Sequence, residues 1–176
     1  RAVRVAASER APVALIFPAD VQEEQYEPPG HAFKMVPGSL GYTPPRVIAP
    51  KAEIRRAAEV LNGGERVAIL IGQGARGAAS EVAEALLGKD VLADDLPFVT
   101  GSIGLLGTKP SYDLMMGCDT LLMVGSSMPY SQFLTEFGQA RGVQIDIDAK
   151  MIGLRYPMEV NLVGDAQATL AELLPL

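Results

Sequence analysis

The fold is decided by the stretch Val67-Ala68-Ile69-Leu70-Ile71-Gly72-Gln73-Gly74-Ala75-Arg76-Gly77. Its five apolar residues predict a strand buried on both faces, as in a parallel sheet. The turn Gly72-x-Gly74-x-x-Gly77 follows at once, and a helix-like segment over 78–87 follows the turn. Glycines let a backbone approach a pyrophosphate, and the helix after them offers free N–H groups. The order therefore indicates a nucleotide-binding α/β fold, in which Arg76 supplies a cation beside the diphosphate.

Further strands and helices are predicted on either side of this stretch. Apolar segments predict strands over residues 120–124, 143–148 and 160–163. An amphipathic helix is predicted from Pro50 to Leu61, and Asp165 is placed to cap a final helix that ends at Leu174. Strands that alternate with helices predict a three-layer, Rossmann-like parallel sheet whose ligands bind beyond the carboxyl ends of the strands.

The N-terminal part of the chain has a different character. Residues 1–10 predict the end of a helix, and Val13–Phe17 predicts a buried strand, so residues 1–21 read as the helix–strand tail of another α/β domain. Residues 22–49 are rich in proline and glycine and predict an interdomain linker. Residues 50–176 are then one central domain, and the chain is expected to be part of a larger enzyme.

Composition excludes several classes of protein. The net charge of −6, without a basic stripe, argues against nucleic-acid binding. No apolar run is long enough to predict a membrane span. The one cysteine, Cys118, excludes an internal disulfide and favours a reducing compartment, so we expect a cytoplasmic protein in which Cys118 is a packing residue. His31 is the only histidine, which nearly excludes a histidine-based metal site.

Polar residues and glycines follow the other predicted strands. Gly125-Ser126 comes after residues 120–124, and the carboxylates of Asp146 and Asp148 end the next strand, where they are able to bind ribose or ribityl hydroxyls. Asp94 and Asp95 are spaced like a ribose-binding acid, but a solvated loop explains them better. No nucleophile elbow, Tyr-x-x-x-Lys pair or catalytic histidine is found. The pattern therefore indicates a cofactor-binding domain without a reaction centre of its own.

Three segments near the C terminus carry a family resemblance. They are Gln144-Ile145-Asp146-Ile147-Asp148, Ile152-Gly153-x-Arg155-Tyr156-Pro157 and Leu162-Val163-Gly164-Asp165-Ala166. Together they resemble the closing half of the central domain of thiamine diphosphate-dependent enzymes, above all pyruvate oxidases and pyruvate:quinone dehydrogenases and, more distantly, acetolactate synthases. The stretch from Ala11 to Gln22 is similar to the last strand of their pyrimidine-binding domain.

The resemblance implies a parent enzyme that acts on a 2-oxo acid with thiamine diphosphate and Mg²⁺, assembles as a dimer or tetramer, and carries its catalytic motifs in domains absent here. The central domain is then non-catalytic and binds FAD or another nucleotide, or is purely structural. The implied contacts fall in three groups: Gly72, Gly74, Ala75 and Arg76 on the FAD diphosphate; Gly125, Ser126 and the Pro129-Tyr130 pair on the ribityl and flavin side; and Asp146, Ile147 and Asp165 on the adenosine half.

The chain departs from this family after the glycine turn. Relatives have a longer helix and a short strand where Val82 here runs almost directly into Leu87, so either this member is trimmed or a break is expected between about positions 80 and 88. Two alternatives stay open. One is a nicotinamide-dependent dehydrogenase domain that uses Gly72-x-Gly74-x-x-Gly77, and the other is a structural domain with a vestigial pocket.

Overall fold

The computed structural model describes residues 1–27, 41–85 and 97–176. The chain divides into two compact units, Arg1–Pro45 and Arg46–Leu176. In the first unit, helices form over Ala2–Glu9 (α1) and Ala19–Glu23 (α2). The prediction of a strand over Val13–Phe17 is wrong for this structure, because no strand forms there and Leu15, Ile16 and Phe17 are exposed. An apolar run becomes a strand only when a neighbouring strand satisfies its backbone groups.

The second unit is built on one parallel sheet. Its strands are Val67–Ile71 (β1), Thr120–Val124 (β2), Arg141–Asp146 (β3) and Val160–Val163 (β4), in the order β1-β2-β3-β4. Every neighbouring pair is parallel. The predicted α/β class is confirmed, and each strand predicted for residues 50–176 forms in this sheet.

Helices cover both faces of the sheet. The helical segments of the second unit are Lys51–Asn62 (α3), the 3-10 helix Gln73–Ala78, Ala79–Ala85 (α4), Lys109–Gly117 (α5), the 3-10 helix Ser131–Phe133 and Ala166–Leu173 (α6). Helices α3, α4 and α6 pack on one face, while α5 and Ser131–Phe133 pack on the other. The predicted caps are present: Pro50 precedes α3, and Asp165 accepts a hydrogen bond from the N–H of Ala168.

The burial of strand β2 explains the four apolar residues that follow Thr120 in its sequence. All five residues of the strand are buried. Leu122 and Val124 pack beneath α3 and α6, while Leu121 and Met123 pack beneath α5. Because alternate side chains point to opposite faces, a strand covered on both sides is apolar at most of its positions.

Helix α5 is not predicted by the sequence analysis. Its sequence signal is local: Thr108 caps its N terminus by accepting from the N–H of Ser111, and Pro110 lies in its first turn. The predicted helix over 78–87 is present as α4 as far as Ala85. Residues 86–96 lie outside the described residues, so the expected break near Val82 stays a prediction.

Asp119, which directly precedes β2, ties the start of that strand to the start of β1. Its carboxylate accepts hydrogen bonds from the N–H groups of Glu65 at 3.2 Å and Arg66 at 3.0 Å. Partial burial alone would raise the pKa of Asp119, but the bonds from Arg66, Thr120 and Glu65 outweigh it and lower the pKa. The ionised carboxylate therefore stabilises the fold.

We expect Asp119→Asn to lower the unfolding midpoint near neutral pH. A depressed folded-state pKa contributes stability above the ordinary carboxylate pKa, and this contribution is lost as the pH falls through the folded value. The gap between the variant and the wild type should therefore close as urea titrations are taken from about pH 7 down to about pH 2. Asp113→Asn, on the exposed side of α5, is the control. A gap that stays constant with pH would contradict the assignment.

Candidate functional site

The carboxyl ends of β1 and β2 form the crevice in which an α/β sheet of this kind binds ligands. After β1 the chain passes through Gln73–Ala78 and α4 to the face covered by α3 and α6. After β2 it passes to the opposite face, where Phe133 packs with the residues beneath α5. Connections that leave adjacent strands toward opposite faces open a crevice between them, and ligands bind at this topological switch point.

The two glycine turns close the floor of this crevice. The N–H of Gly72 donates to the carbonyl of Val124 at 2.9 Å, and that of Gly74 donates to the carbonyl of Gly125 at 3.0 Å. A β-carbon on Gly72 would lie 2.3 Å from the Gly125 oxygen, and one on Gly74 would lie 2.8 Å from the Gly125 α-carbon. Gly125 itself has a φ of +57°. Packing within the protein therefore requires these glycines whether or not a ligand binds.

The third glycine of the motif has a different environment. A β-carbon on Gly77 would meet nothing within 4 Å. The motif opens into a 3-10 helix before α4 begins, and Ala75 is fully buried with its N–H bonded to the carbonyl of Gly72 at 3.1 Å. Of the residues expected at a diphosphate, the exposed ones are Gly74 and Arg76. In the described parts of the chain, Arg76 forms no ion pair, so its charge is available to an anion.

The ends of β3 and β4 bring together the residues expected at the adenosine half. Asp146 is buried, and its Oδ1 accepts from the N–H of Asp148 at 2.9 Å. The other carboxylate oxygen of Asp146 has no hydrogen-bond partner among the described residues. The N–H of Gly164 donates to the carbonyl of Asp146 at 2.9 Å, which places Asp165 beside it. Asp165 caps α6, and this role accounts for an aspartate at position 165 without a ligand. Ile147 is half-buried and lies between Asp146 and Asp148 in the chain.

Gln144 positions this edge of the sheet, and the sequence analysis did not single it out. Its side chain is 1% exposed. The amide nitrogen donates to the carbonyls of Met151 at 3.2 Å and Ser126 at 3.4 Å, and the amide oxygen accepts from the N–H of Gly153 at 2.9 Å. A polar residue in an otherwise apolar buried strand is the signal that identifies it. Gln144 therefore joins the turn after β2 to the loop after β3.

The remaining predicted residues are divided between surface and core. Ser126 accepts from the N–H of Met128 at 3.3 Å, and exposed Tyr130 stacks edge-on against Phe133 with ring centroids 6.5 Å apart. Cys118 is fully buried, as predicted for a packing residue, and burial raises the pKa of its thiol. His31, Asp94 and Asp95 lie outside the described residues.

The described residues form neither a metal-binding cluster nor a membrane-spanning helix. Among residues 1–27, 41–85 and 97–176, no group of three or more His, Cys, Asp or Glu side chains is arranged to hold a metal ion. None of the helices described for this chain has the length and apolar character needed to cross a bilayer.

Comparisons with known proteins agree with the fold and with the family resemblance. A family model described as the central domain of thiamine pyrophosphate enzymes matches residues 54–173. A pyruvate oxidase of Lactiplantibacillus plantarum is 30% identical over 146 residues, which cover 76% of this chain and 24% of the oxidase. A 42.6 kDa protein of Pseudomonas amyloderamosa, encoded in an isoamylase 3′ region, is 34% identical over 187 residues, covering 99% of this chain and 45% of that protein.

A solved structure gives the same fold. It is described as a thiamin diphosphate-dependent enzyme from Mycobacterium smegmatis, and it matches with a TM-score of 0.64 at 18% identity over 81% of this chain and 30% of its own. The chain thus spans less than half the length of each of these three proteins. The matches do not favour a nicotinamide-dependent dehydrogenase, and the family match over residues 54–173 shows that the chain belongs to the family of thiamine pyrophosphate enzyme central domains.

Proposed function

We propose that this domain holds FAD in the crevice beyond β1 and β2. The observation that carries the proposal is the exposed cation of Arg76, which has no ion-pair partner in the described chain and lies at the topological switch point. The free carboxylate oxygen of Asp146, at the end of β3, supports it because a ribose hydroxyl could donate to it. Under this proposal Gly74 and Arg76 face the diphosphate, Ser126 and Tyr130 the flavin side, and Asp146, Ile147 and Asp165 the adenosine half.

The proposal extends to the parent enzyme. It would act on a 2-oxo acid, with thiamine diphosphate and Mg²⁺ held by other domains, and bound FAD would accept electrons. Residues 1–21 would end the pyrimidine-binding domain, residues 22–49 would be a linker, and residues 50–176 the central domain. We further propose a cytoplasmic dimer or tetramer. The chain alone should not decarboxylate any 2-oxo acid, because we expect the activating glutamate and the magnesium-binding motif in other domains of the parent enzyme, and turnover by purified chain would overturn this assignment.

One observation favours a second candidate, a structural domain with a vestigial pocket. The glycines that suggest a diphosphate site are already required by the contact between the two turns. Flavin absorbance that co-elutes with the chain in gel filtration after incubation with FAD supports the first candidate. A colourless protein, with no change of its melting temperature in excess FAD, supports the second.

Replacing Arg76 tests which residue holds the diphosphate. We expect Arg76→Ala to weaken FAD binding about tenfold or more, because a charge-assisted hydrogen bond contributes about 1.5–3 kcal/mol. Its melting temperature without FAD should equal that of the wild type, since the side chain is exposed. Arg55→Ala, at an exposed position of α3, is the matched control and should bind FAD normally. Equal flavin affinity of both variants in fluorescence titrations would exclude Arg76 from the site.

A further inference from the structure

A second cavity lies on the face of the sheet covered by α5. Its volume is ≈ 380 Å³, and it is bounded by α5, by the segment 131–137 and by the loop 155–157. We call it the α5 cavity. It shares no lining residue with the glycine turns or with the carboxylates at the ends of β3 and β4. Its size is at the small end of the range in which proteins bind small molecules, about 300–1,000 Å³.

The floor of the α5 cavity includes two buried residues that carry hydroxyl groups. Tyr156 is 4% exposed, and its hydroxyl accepts from the N–H of Ala140 at 3.1 Å while lying 2.9 Å from the carbonyl oxygen of the same residue. Thr135 is equally buried, but its hydroxyl oxygen makes no hydrogen bond of ordinary geometry among the described residues. The thiol of Cys118, in the core beneath α5, is a weak partner for this hydroxyl.

Two opposite charges line the same cavity. Arg155 and Glu136 are both exposed, and neither side chain forms an ion pair or a hydrogen bond in the described structure. A guanidinium is suited to a carboxylate, which it binds with two parallel N–H donors. A carboxylate such as that of Glu136 accepts from an ammonium group. The cavity thus presents the complement of a molecule that carries both charges.

The remaining wall is apolar. Met116 and Leu134 line the cavity from α5 and from the segment after β2, and the ring of Phe137 is 86% exposed beside them. Methionine and an exposed aromatic ring are surfaces that adapt to a small hydrocarbon side chain. A ligand with two charged groups and an apolar tail satisfies all of these features together.

We propose that the α5 cavity binds an α-amino acid with an apolar side chain. Arg155 holds the carboxylate, Glu136 holds the ammonium group, and the side chain rests on Met116 and Leu134. The proposal is independent of FAD, because no residue is shared between the two sites.

The test is isothermal titration calorimetry of the full chain with L-leucine and L-phenylalanine. We expect dissociation constants of about 1 mM or below for at least one of them. Isocaproate, which is leucine without its ammonium group, and isoamylamine, which is leucine without its carboxylate, should each bind about tenfold more weakly or worse. No heat from either amino acid at about 10 mM would overturn the proposal, as would isocaproate binding as tightly as leucine.

Substitutions of the two charged residues of the α5 cavity test whether the amino acid binds there. Arg155→Gln and Glu136→Gln should each weaken amino-acid binding about tenfold, while Arg55→Gln, exposed on α3, should bind like the wild type. All three residues are on the surface, so circular dichroism should show unchanged folding. Full binding by both cavity variants would overturn the proposal. If Arg76→Ala loses FAD binding but still binds leucine, the two sites bind their ligands independently.

Discussion

Gly72→Ala is expected to destabilise the domain by about 3 kcal/mol or more. The added β-carbon would lie 2.3 Å from the carbonyl oxygen of Gly125 and 2.6 Å from the α-carbon of Ser126. Both atoms belong to backbone that follows β2 directly, so neither is able to move without breaking the hydrogen bonds at the ends of the strands. Urea denaturation with a two-state fit measures the loss.

Gly77→Ala, in the same glycine motif, is the matched control. Nothing lies within 4 Å of its added β-carbon, and its φ is not positive. We expect this variant to be as stable as the wild type or more stable by about 0.4–1 kcal/mol, because alanine narrows the unfolded ensemble. If both variants unfold at the same urea concentration, the two turns are not packed against one another as described.

Gln144→Met is expected to lower the free energy of unfolding by about 2–3 kcal/mol. Methionine matches glutamine in length, but it leaves the carbonyls of Ser126 and Met151 and the N–H of Gly153 without the partner that Gln144 supplies. An unsatisfied buried polar group costs its full desolvation free energy. The same denaturation measurement applies.

Gln132→Met is the control for this substitution. Gln132 is exposed and forms no hydrogen bond in the described structure, so the change should be neutral within about 0.5 kcal/mol. An unaltered stability of Gln144→Met would mean that water replaces the amide, and the loop after β3 would then not depend on Gln144. Faster hydrogen exchange at Gly153 in the variant would instead support its positioning role.

The sequence was informative where local pattern and packing agree. The apolar runs of β1 and β2 are strands because both faces of the sheet are covered, and Asp165 caps α6 as its type and position predict. The same kind of apolar run at Val13–Phe17 forms no strand, because pairing depends on neighbours that a local pattern does not encode. Helix α5 was missed because its apolar residues 114–116 are consecutive and form no stripe with helical spacing.

The candidate site could be predicted only in part. The residues at the strand ends lie where the order of strands and turns places them, since parallel strands bring their carboxyl ends to one edge. What no pattern revealed is the use of Gly72, Gly74 and Gly125, because a tight contact between two backbones and an approach to a phosphate require the same residue type. The free charge of Arg76 distinguishes the two explanations better than the glycines do.

The contact between the two glycine turns has a consequence for relatives of this domain. A β-carbon on Gly74 would lie 2.8 Å from the α-carbon of Gly125, and one on Gly125 would lie 2.6 Å from the α-carbon of Gly74, so no exchange of side chains across the contact relieves it. Both positions should therefore stay glycine in every descendant that keeps the sheet, whether or not it keeps a cofactor. The glycines are then inherited with the fold and do not by themselves indicate a bound nucleotide. In a relative that no longer binds a nucleotide, the arginine at position 76 should be the first of these residues to be replaced.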